Sequence, residues 1–370
     1  MKILILNWRG PKHPNAGGAE VATLEHAKYW KSKGHQVTWF TSSYWGCTKP
    51  EENIDGIRVI RRSNQVLGVH IAALSWYLFE NKEKFDIVID QFHGIPFFSP
   101  IYIRAKKIGY IHEATKDVWK QNQLPKPLNL IPALIGEFSE YLIFNLLYQN
   151  IKFMTVSNST KSDLEEFGIK KEKIRIIHNG LTALKIGRIR KEKTPTLLYL
   201  GALAKDKGTD DMLKIFDNLH DKNPDWQYWL AGRSSDNYLD KLKGRNYIKY
   251  FGYVSQKKKF ELFKKAHIFI NPSIREGWGL TNLEANSQGT PVVGYRVPGM
   301  IDSVIQNKTG ILVPKGDQNL IIKSVIMLFK DKNKYKELSN QSIVWSKRFS
   351  WASSGKQSLD YLQEVLGSNF

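Results

Sequence analysis

Ile268-Phe269-Ile270-Asn271-Pro272-Ser273-Ile274-Arg275-Glu276-Gly277-Trp278-Gly279-Leu280-Thr281-Asn282-Leu283-Glu284-Ala285, followed by Gly289-Thr290-Pro291-Val292-Val293, decides the reading of this 370-residue chain. Residues 268–271 are a short apolar run that reads as a buried strand. Gly277 and Gly279 tighten the loop that follows and leave backbone N–H groups free. A helix opens around Leu280, so the amides near Gly279 and Leu280 point at whatever lies beyond the strand's end. Glu276 falls in the loop and Glu284 one turn into the helix. Carboxylates accept hydrogen bonds strongly, so this spacing suits a grip on two hydroxylated parts of one ligand.

The same alternation of strand and helix extends in both directions. Strand-like runs occupy residues 3–6, 37–41, 57–61, 87–89, 107–111 and 153–156, then 196–199, 227–231, 248–251 and 291–294. Helical patterns fall at 19–33, 159–166, 210–219, 256–265 and 281–288. Near-continuous apolar strands separated by helices predict parallel sheets covered on both faces. The alternation restarts near residue 195, after a basic stretch without apolar period. The expectation is an α/β protein of two Rossmann-like domains: 1–183, a linker at 184–195, and 196–345. Residues 346–370 form a last helix that packs back on the first domain. In such sheets ligands sit beyond the carboxyl ends of the strands.

Composition narrows the function. Hydrophobic residues make up 42% and charged residues 24%, which excludes a mainly disordered or low-complexity chain. The longest uncharged run, residues 63–79, is shorter than the ~20 residues that span a bilayer. Met1-Lys2 leads straight into a strand pattern, so a cytoplasmic location is expected. Cys47 is the one cysteine, which excludes an internal disulfide and a cysteine-rich zinc site. No Asp-x-Asp and no His-Glu-x-x-His occurs, so no metal site is expected. Lys and Arg outnumber Asp and Glu by 55 to 35, a formal charge of +20. The excess is +7 in residues 1–180 and +13 in residues 181–370. That charge attracts phosphate groups or an anionic membrane surface. No nucleic-acid-reading motif accompanies it.

Further candidates lie at predicted strand ends. Gly17-Gly18 precede a helix and suit an anion such as a diphosphate, although a tight connection alone explains the same glycines. His112 follows a strand, where a lone histidine is either structural or functional. Ser157 is a lesser candidate of the same kind.

Several motifs in register resemble one family. Glu276, seven intervening residues and Glu284, within Pro-Ser-x-x-Glu-Gly-x-Gly-Leu-x-x-Leu-Glu-Ala, are similar to the signature of family 4 retaining glycosyltransferases. Gly17-Gly18-Ala19-Glu20, Gly34-His35, Val156 to Thr160, His178-Asn179-Gly180 and Gly201 to Gly208 resemble its other motifs in the same order. The resemblance implies the GT-B fold, with two sheets facing across a cleft. It implies that Glu276 holds the donor sugar, Glu284 the ribose, and Lys207 the diphosphate. Gly232, Arg233 and Val254 would line the nucleotide, with Gly277, Trp278, Gly279, Leu280 and Thr281 beside it. His112 would lie near the sugar, which makes Glu276, Lys207 and His112 the expected catalytic set. The family's arginine after the loop glycine is absent, because Ala202 follows Gly201; Lys205 and Arg233 are the candidate replacements.

The implied activity is retaining transfer from a nucleotide-diphosphate sugar to a glycan or lipid-linked acceptor. The acceptor contacts are expected among residues 8–18, 91–94 and 114–134. The apolar stretch 128–135 suits either an acceptor or an ordinary core. No cofactor is expected beyond the donor, and docking on an anionic inner leaflet agrees with the charge. A nucleotide-sugar epimerase or a phosphorylase on the same scaffold is the competing reading, because fold does not fix function.

Overall fold

The computed structural model describes residues 1–47, 49–65, 67–116, 130–182, 190–234 and 236–367. The chain divides into two compact units, Met1–Gly180 with Ser350–Phe370, and Leu181–Phe349. The expected boundaries of 183 and 346 fall close to these divisions. Residues 184–189, half of the expected linker, lie outside the described residues.

The first unit holds an eight-stranded sheet. Its strands are β1 (Lys2–Asn7), β2 (Gln36–Thr41), β3 (Glu51–Ile54), β4 (Ile57–Arg61), β5 (Ile87–Gln91), β6 (Lys106–Ile111), β7 (Lys152–Thr155) and β8 (Ile174–Ile176). The order is β3-β4-β2-β1-β5-β6-β7-β8. β1 lies central, with Ile5 opposite both Trp39 and Ile89. The expectation of an all-parallel sheet needs one correction: β3 runs antiparallel to β4 at the edge. Glu51-Glu52-Asn53-Ile54 carries no apolar run, so it has no strand signature, and a charged edge strand resists pairing with another chain.

The end of the chain completes this unit. The last helix, expected within 346–370, is Trp351–Leu366 in the first unit; helix Lys332–Ser346, which has no place among the expected elements, precedes it in the second unit. Ser350 separates them by capping the later helix through the Ser353 amide. Trp351–Leu366 packs on Gly18–Ser32, where His26 Nε2 meets Ser354 Oγ at 2.8 Å and Trp30 Nε1 donates to Ser358 Oγ at 2.9 Å. Gly355 permits the contact, because a Cβ there would stand 2.5 Å from the Tyr29 ring.

The second unit holds a six-stranded parallel sheet. Its strands are β9 (Thr196–Leu200), β10 (Gln227–Ala231), β11 (Ile248–Tyr250), β12 (Ile268–Asn271), β13 (Val292–Tyr295) and β14 (Gly310–Val313). The order is β11-β10-β9-β12-β13-β14. The chain builds outward one way from β9 and then the other way from β12. The topology therefore reverses between these two strands, and the loops after β9 and β12 open at that switch point. Buried Leu197, Leu198, Phe269 and Ile270 form the middle of the core there.

Lys191, just before β9, is half-buried, and its ammonium reaches three neutral oxygens. Thr290 Oγ1 lies at 2.6 Å, Gln288 O at 3.2 Å and Phe263 O at 3.4 Å. Burial pushes its pKa down to about 7. Between about 7 and the ordinary lysine value the unfolded chain holds a proton that the folded chain lacks. Stability therefore rises with pH across that window. Urea unfolding of the wild type and Lys191→Met at rising pH is expected to show a steeper gain for the wild type. Parallel curves would disprove this charge burial.

Candidate active site

The loops after β9 and β12 meet at backbone distance. Gly208, with φ +68°, takes the left-handed turn that starts helix Thr209–Lys222. A Cβ on it would stand 1.9 Å from Pro272 O, so no side chain fits. The amide of Ile274 donates to Asp206 O at 3.0 Å and ties the loops together. From below, the buried Tyr199 hydroxyl donates to Ala202 O at 3.0 Å and to Lys207 O at 3.2 Å. This bracing presents Lys207 to Glu276, with Nζ 3.1 Å from Oε1. Ser273 Oγ donates to the same oxygen at 2.6 Å. Gly299 lets the chain pass behind Glu276, because a Cβ there would lie 2.0 Å from Glu276 O.

Gly279, with φ +71°, ends the second loop and caps helix Leu280–Ser287. Its own Cβ would strike Asn282 Nδ2 at 2.4 Å. Asn282 is buried, accepting from Asn271 Nδ2 at 2.8 Å and donating to Ser303 Oγ at 2.9 Å, which fixes the helix start over β12. Glu284, one turn into the helix, is buried and carries a hydrogen-bonded ion pair to Lys259 Nζ. Burial raises the Glu284 pKa, and Lys259 and Gln256 oppose that rise. Trp278 differs from the other loop residues: it is buried and packs edge-on against Phe349, ring centroids 5.3 Å apart. Thr281 and Leu280 begin the helix beside the loop.

The loops after β10 and β11 complete the rim. Gly232 lies under Gly201 O, 1.7 Å from where a Cβ would be, and its amide donates to Gly252 O at 2.8 Å. Leu203 N donates to Arg233 O at 2.8 Å, which joins these loops to the one bearing Lys207. The Arg233 guanidinium lies 4.4 Å over the exposed Tyr253 ring, next to Val254. The site therefore combines an ammonium, two carboxylates, a guanidinium and a helix N-terminus at one sheet's switch point. That set suits a ligand with both phosphate and hydroxyl groups.

Comparison with known proteins decides the class of that ligand's enzyme. The family described as "Glycosyl transferases group 1" matches residues 183–345, and "Glycosyltransferase Family 4" matches residues 16–183. The chain belongs to the group 1, family 4 glycosyltransferases. An uncharacterised glycosyltransferase of Methanocaldococcus jannaschii is 23% identical over 86% of this chain and 87% of its own. The sucrose-phosphate synthase structure from Thermosynechococcus elongatus matches with a TM-score of 0.80 at 17% identity, over 100% of both chains. Anabaena HepE, solved with UDP-glucose, matches with a TM-score of 0.71 at 16% identity, over 98% of this chain and 100% of that one. The fold is thus the GT-B type.

The glycosyltransferase's first unit holds the remaining expected residues. Gly17 and Gly18 follow β1 and open helix Gly18–Ser32. The Gly17 amide is already occupied, donating to Glu20 Oε2 at 2.7 Å. His112 follows β6, two strands from β1, with its ring 4.2 Å from that of Tyr110. Burial, then the nearby His26 and His93, push its pKa down to about 3, so it is neutral at pH 7. Its Nε2 is buried without a hydrogen-bond partner among the described residues. Ser157 is a helix cap, accepting from Thr160 N at 3.1 Å. Of the expected acceptor segments, residues 117–129 lie outside the described residues.

Sequence reasoning missed Lys259, and placed Arg9 only within the expected acceptor segment 8–18. Lys259 was hidden in the run Lys257-Lys258-Lys259, where only helical phase separates it from solvated neighbours. Arg9 follows β1, lies 4.4 Å over the Trp8 ring and donates to Asn15 O at 3.1 Å. Its position beside two glycines at a strand end was the available signal.

Gly232→Ala tests the construction of the rim. The added methyl meets backbone rather than a yielding side chain, so a loss of about 2–4 kcal/mol is expected, with a lower Tm. An unchanged melting curve would show that the loops separate freely.

Proposed function

We propose that this glycosyltransferase moves a sugar from a nucleoside-diphosphate sugar to a hydroxyl of a glycan or lipid-linked acceptor. Configuration is retained and no metal takes part. The Lys207–Glu276 pair at the switch point carries the reading, because its 3.1 Å contact joins a phosphate-binding cation to a sugar-binding carboxylate. HepE's complex with UDP-glucose supports a donor of this class.

On binding, the donor diphosphate takes Lys207 and the amides at the Gly279 helix start. Glu276 turns to the sugar hydroxyls and Glu284 to the ribose. Arg233 takes the place of the arginine missing at Ala202. The bond from the anomeric carbon to the phosphate oxygen then breaks, and negative charge grows on the departing diphosphate where these donors already point. The acceptor oxygen bonds to the anomeric carbon on the face the diphosphate leaves. Its proton passes to the leaving phosphate, so no separate base is required. Neutral His112, in the first unit, has a buried nitrogen without a hydrogen-bond partner among the described residues, which supports a hydrogen-bonding role for it. The reaction takes place in the cytoplasm, with the acceptor at the inner face of the membrane.

Glu276→Gln and Lys207→Ala are each expected to cut kcat/KM by about 10²–10³ with little change in Tm. Near-native rates for both would show that the site is misassigned. Labelled donor incubated without acceptor would yield an epimer if the competing activity were correct.

Lys259 gives a pH test of the same site. Removing it leaves only Gln256 to oppose burial, so the Glu284 carboxyl holds its proton to a higher pH. A carboxylate is lost as pH falls through its pKa, so Lys259→Met loses affinity at a higher pH than the wild type. UDP binding by calorimetry is expected to be about tenfold weaker in the variant at the acid end of the titration and to converge with the wild type as pH rises. Lys259→Arg restores it. A deficit that does not vary with pH would leave Lys259 as packing alone.

A further inference from the structure

Two helices of the first unit lack the charge that the chain otherwise carries in abundance. Gly68–Ser75 runs on through the wider turn Trp76–Glu80 and has no charged residue before Glu80. Leu130–Ile143 runs on through Phe144–Tyr148 and has two, Glu137 and Glu140. Each buries one side: Val69, Ala73 and Trp76 pack with Leu4, Leu6 and Val88, while Phe144 and Tyr148 pack with Phe92 and Phe153.

The outward sides are apolar too. Leu67, Ile71, Leu74 and Leu78 recur at helical spacing and are 59%, 68%, 38% and 51% exposed. On the second helix Phe138, Tyr141, Leu142 and Leu146 do the same, at 65%, 49%, 37% and 75%. Short helix Ser99–Tyr102 bridges them with Ile101, itself 68% exposed. The three pieces are continuous. The Tyr77 and Tyr102 rings lie 5.8 Å apart, and Asp90 Oδ2 accepts from Ser99 Oγ at 2.5 Å and Tyr148 OH at 2.6 Å. Soluble surfaces rarely hold so many large apolar side chains together without a partner.

One rim of this layer is cationic. Lys82 and Lys84 lead into β5, and Arg104 and Lys106 lead into β6. These strands start side by side, with Ile87 opposite Lys106. All four cations are exposed and form no ion pair among the described residues. The nearby acids are engaged elsewhere: Glu83 holds Arg58 at 2.6 Å, and Asp86 holds the Lys2 amide at 2.7 Å.

An apolar layer edged by cations matches a bilayer whose acyl region lies beneath anionic headgroups. A two-fold copy of this chain would set the same cations against each other. Nucleic acid offers phosphates but no apolar layer. No helix among the described residues is long and apolar enough to cross a membrane, so the contact is with its surface.

We propose that this helical layer is the surface on which the protein docks to an anionic lipid bilayer. The proposal rests on the membrane-side acceptor suggested above, but its test reads vesicle binding without any sugar transfer. The full chain is sedimented with vesicles of phosphatidylcholine alone and of phosphatidylcholine with phosphatidylglycerol. Binding to the mixed vesicles is expected, about tenfold or more above the neutral ones and weakened by salt. Ile71→Asp with Leu146→Asp, and separately Lys82→Glu with Arg104→Glu, each reduce it about tenfold or more. UDP affinity stays at the wild-type value in both. Equal binding to the two vesicle types, binding to neither, or wild-type sedimentation of both variants overturns the proposal. A dimer that Ile71→Asp dissolves assigns the layer to a second copy and overturns it as well. Vesicle binding by a protein that binds no nucleotide would end the functional reading and leave the docking surface standing.

Discussion

The candidate site of this glycosyltransferase's second unit depends on the approach of two main chains, where the loop after β9 touches the loop after β12. Gly208 stands against Pro272 O and Gly232 against Gly201 O, closer than any side chain allows. Everything chemical is hung on that contact. Lys207 sits one residue before the left-handed turn at Gly208, and Glu276 three residues before the one at Gly279. The cation and carboxylate meet because backbone, not side-chain flexibility, sets their origins. Tyr199 and Ser273 then limit where the backbone and the carboxylate can move. Backbone origins fixed in this way are one condition for electrostatic stabilisation to act.

That contact also explains what the sequence made legible. Glycines at close approaches, an apolar run of four residues and a helix start are local signals, and all fall within residues 268–285. Strands β4, β10 and β12 were readable to the residue for the same reason, since each is a bounded apolar run. The strands that escaped are those whose identity comes from neighbours. β3 is acidic and held by its hairpin with β4; β8 has three residues; β14 begins with Gly310, placed by its fit under Val292 O. Lys259 escaped likewise, because its partner Glu284 is distant in sequence and a lysine run reads as solvated.

The first unit was less legible for a different reason. Its loops carry few glycines in forced geometries, and its chemistry is one neutral histidine and an arginine lying on a tryptophan. Its most telling feature, the outward apolar layer, has the same composition as a core helix. Sequence alone shows that Ile71 and Leu78 share a helix face; only the fold shows that this face points away from the sheet while Val69 and Trp76 point toward it. Burial is a property of the assembled layers, so an exposed apolar stripe cannot be told from a buried one by periodicity.

The two ion pairs of the site bear on how a donor would enter. Lys207 is bound to Glu276, and Lys259 to Glu284, so each carboxylate the ligand would use already holds a cation. An unpaired carboxylate at the depth of Glu284 would tend to hold a proton and lose its capacity to accept two hydroxyl hydrogen bonds. Pairing with Lys259 works against that protonation. Glu276 is more open, and its pair with Lys207 is correspondingly weak, on the order of 1 kcal/mol. In the proposed reaction a diphosphate, with its larger charge, would draw Lys207 away at small cost and leave Glu276 free for the sugar. The shallow pair is built to exchange partners and the deep one to persist, a division of labour that follows from burial alone.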